Sequence, residues 1–101
     1  MSLSLGSTES IPFAIIQGTK TGISTTSSQL TTTSTPLYKS ITIKVRSLGT
    51  GTYIAIGNSS SQPYRLLADG DSIEIDTINN ANKIYCITDS GSSGILEYLG
   101  G

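Results

Sequence analysis

The stretch from Thr52 to Asp76, TYIAIGNSSSQPYRLLADGDSIEID, decides how the chain reads. It opens and closes with a two-residue apolar alternation. In TYIAIGN, Ile54 and Ile56 share a face opposite Tyr53 and Ala55. In SIEIDTI, Ile73 and Ile75 share a face, and Glu74 and Asp76 point the other way. A period of two is the mark of a strand with one buried side. Between these ends lies a polar loop, GNSSSQP, in which Asn58 suits a left-handed backbone. Then come Pro63, a short apolar step, and the tight turn Asp69-Gly70-Asp71. That acidic turn is either a site or the corner of a sheet.

A calcium loop needs several oxygens converging on one point, with the signature D-x-[DN]-x-[DN]-G and a later Glu. Here the order is D-G-D-S-I-E-I-D, so the glycine comes too early. Glu74 and Asp76 are spaced along one strand face and do not converge. A glycosidase-like carboxylate pair with Glu97 has no further support, and the chain has no Trp to stack a sugar. The corner reading is preferred, with Glu74 and Asp76 guarding an exposed face against unwanted pairing.

The same alternation extends outward. In SITIKVRS, Ile41, Ile43 and Val45 oppose Thr42, Lys44 and Arg46. SLGTGT, Ser47 to Thr52, reads as a Gly-containing hairpin. KIYCITD places Ile84 with Cys86 on one side and Tyr85 with Ile87 on the other. Both sides are apolar, which predicts a central strand or one at a subunit contact. GILEYLG puts Leu96 and Tyr98 on one face, Ile95 and Glu97 on the other. NNAN and DSGSSG are further turns. No window holds a 3.6-residue period. The fold class expected is all-β: a small antiparallel β-sandwich or jelly-roll-like barrel of about six or seven strands, with an extended N-terminal segment.

The chain of 101 residues fits a single domain. Residues 37–101 read as the sandwich core and residues 1–36 as a Ser/Thr-rich N-terminal arm or edge strands. Within the latter, IPFAIIQG (Ile11 to Gly18) has the pattern of one more strand. Thr19 to Pro36 reads as an edge strand or extended arm, or as a flexible linker.

Composition excludes several chemistries. There is no histidine, which removes the commonest general base and zinc ligand. Many serines have no such partner, and no G-x-S-x-G elbow occurs. The single cysteine, Cys86, sits in a strand pattern and reads as a small core residue. The glycines of Gly49 to Gly57 lack dinucleotide spacing. Asn58-Ser59-Ser60 fits the glycosylation triplet, a short and common pattern. A net charge of -1 argues against nucleic acid and anionic membrane as partners. The longest apolar run, Ile11 to Ile16, is too short to span a bilayer and lacks the basic flank of a signal peptide. Only 13% of residues are charged, about half the usual share, so the surface offers little self-repulsion. No enzyme activity, metal or cofactor is expected. The candidate interface residues are Tyr53, Tyr64, Tyr85, Ile87 and Tyr98, read as packing or contact aromatics and their neighbour.

From Tyr53 to the end, YIAIGN, a polar loop, PYRLLADGDSIEID, NKIYCIT and a glycine-rich turn before a last strand resemble a module of small virion proteins of tailed bacteriophages. That pattern runs as a strand ending in I-G, then P-L-x-x-G-[ED]-S, then K-I-Y-x-I. Leu66 or Leu67 and Gly70 take the leucine and glycine positions, and Pro63 stands earlier than the pattern's proline. The resemblance covers roughly half the chain and implies a β-rich, non-enzymatic, multimeric capsid decoration, head-fibre or tail-associated protein. It implies made in a host cytoplasm and carried on the virion, with other virion proteins as partners. A homo-oligomer, with a closed trimer favoured, is the expected assembly. The rival expectation is a glycan- or receptor-binding module using Tyr53 and Tyr64.

Overall fold

The computed structural model of the chain describes residues 15–101. The alternating stretches become strands: β1 (Ile16–Ile23), β2 (Ser28–Gln29), β3 (Ser40–Ser47), β4 (Ile54–Gly57), β5 (Tyr64–Leu66), β6 (Ser72–Asp76), β7 (Tyr85–Thr88) and β8 (Gly94–Gly100). A single 3-10 turn, Ala81–Lys83, precedes β7. The two shortest strands, β2 and β5, carry too few residues to show a period. Of the strand expected at Ile11 to Gly18, residues 11–14 lie outside the described residues, and Ile16 opens β1.

The strands form two four-stranded antiparallel sheets, ordered β1-β8-β3-β6 and β2-β7-β4-β5. Only β4 and β5 pair as sequence neighbours. Every other connection crosses from one sheet to the other. This is the double-sheet order of a jelly roll.

Ser47–Thr52 is therefore not a hairpin. Strand β3 is flanked on both sides, by β8 and β6, and has no free edge for β4. The chain instead turns at Leu48–Gly51, where the Gly51 N–H donates to the Leu48 carbonyl (3.1 Å). It then enters the opposite sheet, where Ile54 and Ile56 meet the core from the other side.

That core is the sum of the inward faces. Ile23, Ile41, Ile43, Val45 and Leu96 come from the first sheet; Ile54, Ile56, Leu66 and Cys86 come from the second. Each fully buried large side chain contributes about 1.5–3 kcal/mol relative to exposure. Leu30, Leu37 and Ala81 plug the connections.

The Ser/Thr-rich run is built into this sandwich. Ile23 is fully buried and Leu30 is buried. The Leu30 N–H donates to the Ile84 carbonyl (2.8 Å), and the Ala81 N–H to the Thr35 carbonyl (2.9 Å). Thr35 N–H donates to Asn80 Oδ1 (2.9 Å) and Gln29 Nε2 to the Asn82 carbonyl (2.9 Å). Polar side chains here replace the ladder that a two-residue strand cannot supply.

Candidate interaction surface

The acidic turn is a corner. It carries the chain from β5 in one sheet to β6 in the other. Asp71 Oδ2 accepts from the Leu67 and Ala68 amides (3.0 and 3.2 Å), and Asp69 Oδ1 accepts from the Leu48 amide (2.9 Å). Gly70 has φ +91, a region that favours glycine, and its N–H reaches the Val45 carbonyl (2.8 Å). The carboxylates thus hold backbone amides at two adjacent corners. Among the described residues, no three His, Cys, Asp or Glu side chains group as metal ligands do.

Cys86 is fully buried beside Ser28, and burial pushes its thiol up to about 11 against the pull of the Lys20 charge. A thiol so disfavoured as thiolate is a poor nucleophile. Asp89 clamps another corner: its carboxylate accepts from the Thr52 amide (2.7 Å) and the Thr52 hydroxyl. These bonds hold its carboxyl below the ordinary value of 3.8.

The two outer faces differ. On the first sheet, directly paired residues point the same way, so Gln17, Thr19, Thr42, Lys44, Ser72, Glu74, Glu97 and Leu99 share the outer side. It is polar and charged, and Arg46 approaches Glu97 there at 3.6 Å. On the second sheet, Gln29 pairs with Tyr85, Ala55 with both Arg65 and Ile87, and Gly57 with Tyr85. Tyr53 extends the row, with the Arg65 guanidinium 4.3 Å from its ring centroid. Arg65 is the one charged side chain on the strands of this face. Tyr53, Tyr85 and Ile87 are half-buried and Ala55 is buried between its larger neighbours.

The structure therefore brings three of the five candidate interface residues, Tyr53, Tyr85 and Ile87, onto one face. β7 lies between β2 and β4; its inward side meets the core through Cys86, and its outward side contributes Tyr85 and Ile87 to this face. Tyr98 lies elsewhere. It points inward from β8, opposite Gly18, where a β-carbon would collide with its ring. Tyr64 stands apart on the edge strand β5, 54% exposed. Sequence reasoning missed Arg65 and Ala55 because their role depends on cross-strand pairing.

Tyr64 also marks the mouth of a cleft. Among the described residues nothing pairs with the outer edges of β5 and β6, and the sandwich is open between them, leaving a cavity of about 350 Å³. Ile56, Ile73, Ile75, Ile78 and Ile84 line it, and among the described residues Lys83 is the only charged one in its lining. Ile41 and Ile43, paired with Ile75 and Ile73, are fully buried, while Ile73 and Ile75 themselves stay half-exposed. The alternation did not mark this cleft: Ile78 is out of phase with Ile73 and Ile75, and it packs against the core only because the chain leaves the strand at Thr77, φ +57. No family model matches the chain, and no curated protein matches it.

Proposed function

We propose that this chain is a non-enzymatic structural component of a viral particle, a capsid decoration or other head- or tail-associated protein. It self-assembles and attaches to the particle surface. The observation that carries this reading is the outer face of the second sheet. It gathers Tyr53, Ala55, Tyr85 and Ile87 around a single cation, whereas the opposite outer face is polar and charged. Aromatic residues with arginine and few other charges are the composition of an interface core. The resemblance of Tyr53–Gly101 to small phage virion proteins supplies the setting. The jelly roll is used by viral capsid and lectin domains alike, and fold alone does not select between them.

Copies would meet through this apolar face in a closed ring, with three copies favoured. Several weak contacts to the particle would then add through multivalency. The test is the absolute mass in solution, by light scattering after size exclusion. A stable trimer, reduced to a monomer by Ile87→Lys and unaffected by Thr19→Lys on the other face, supports the reading. A strictly monomeric wild-type chain overturns the self-assembly.

Binding of glycan is the second reading, favoured by the exposed Tyr64 at the cleft mouth. Arg65 already covers the ring of Tyr53, so sugar stacking falls to Tyr64. Glycan-array binding lost in Tyr64→Ala would move this reading first.

A further inference from the structure

Resting on the self-assembly reading, we propose that the cleft between β5 and β6 receives residues Ile11–Ile15 of a neighbouring copy. The segment would lie along β6, antiparallel to it, as an added edge element.

The cleft is unfinished. β6 and β5 each end a sheet, so both present an unpaired backbone edge within the described residues. Ile56 and Ile84 at its floor are buried, but Ile73, Ile75 and Ile78 are only half-buried although they pack against the core. Leaving such surface open costs about 25 cal/mol per Å² that burial would return.

The chain carries a matching segment. In IPFAI, Ile11, Phe13 and Ile15 alternate with Pro12 and Ala14, so one side of an extended strand would present three large apolar residues. Ile15 is 72% exposed, the most exposed of the large hydrophobic residues described. Pro12 suits an edge position, since it needs no ladder donor there. Glu9, two residues upstream of Ile11, would come level with Lys83, which makes no ion pair among the described residues. The outward carboxylates Glu74 and Asp76 face the other side of β6 and do not obstruct the cleft.

Distance favours a neighbour over the same chain. Ile16, Gly100, Ile41 and Ile75 form one row across the first sheet. β1 therefore stands three strand spacings from β6, about 14 Å. Residues 15 back to 11 span at most about 17 Å when extended. Within one chain the crossing would consume the segment before it could lie in the cleft. A neighbour delivers all five residues.

The experiment is thiol cross-linking of full-length chains with a short bismaleimide. Phe13→Cys chains are mixed with size-tagged Ile75→Cys chains. Tyr64→Cys is a second acceptor that leaves the core untouched, and Thr42→Cys on the outer face is the control. The native Cys86 is buried and does not compete. A docked segment is held at millimolar effective concentration, so the Phe13–Ile75 and Phe13–Tyr64 products should form on the order of 10² faster than the control. Rates no higher than the control overturn the proposal. So does a product found only within single chains carrying both substitutions. If light scattering still gives a multimer when cross-linking fails, the docking falls and the self-assembly reading stands. A monomer sinks both.

Discussion

At the scale of single residues, corners carry most of the specific chemistry. Asp89 is a clean case, because two bonds from Thr52 favour its charged form and hold its carboxyl below 3.8. A carboxyl depressed in the folded state contributes stability that is fully present above its unfolded value and lost as pH falls through the folded one. The urea midpoint of the wild-type chain should therefore fall below about pH 4. Asp89→Asn should be less stable at neutral pH and show a shallower acid decline; parallel acid limbs for the two proteins would refute this. Thr77 makes the opposite prediction. It is β-branched, yet its φ is +57, a left-handed conformation that strains any L side chain. Thr77→Gly should raise stability by about 0.5–1 kcal/mol in urea unfolding, the relieved strain exceeding the added chain entropy.

At the scale of elements, the inward faces were legible and the neighbours were not. Ile41, Ile43 and Val45, or Ile54 and Ile56, alternate because each strand buries one side, and that period is written locally. Which strand lies beside which is set by contacts between distant segments. A glycine-bearing turn such as Ser47–Thr52 looks the same whether it closes a hairpin or crosses between sheets. β2 is two residues long and is positioned by Gln29, Asn80 and Asn82, a polar scaffold with no periodic trace. The grouping of Tyr53, Tyr85 and Ile87, and the departure of Tyr98 to cover Gly18, likewise follow from register alone. Two substitutions weigh these levels. Ile43→Ala, in the centre of β3, should cost about 2–5 kcal/mol by cavity formation. Asp71→Ala leaves the Leu67 and Ala68 amides to water and should cost about 1–2 kcal/mol, with Asp71→Asn milder because it keeps an acceptor. Equal losses in the two Asp71 variants would show that the amide bonds do not hold the corner.

At the scale of the whole molecule, two surfaces remain with apolar character: the outer face of the second sheet and the cleft between β5 and β6. If copies cover them, folding and assembly are linked by mass action. The melting temperature should then rise with protein concentration, and Ile87→Lys should flatten that dependence. A melting temperature independent of concentration in the wild type would count against self-assembly. The strand order also governs how the chain is made. β8, the last strand, lies between β1 and β3, the first long ones. During synthesis both must wait, each with an open edge toward the missing strand, until β8 has left the ribosome. Only the β4–β5 hairpin can form early. Such non-local closure makes for slow folding and a long exposure of sticky edges. A chain stopped before Gly94 loses the strand that joins β1 to β3, so such a nascent product is prone to aggregate.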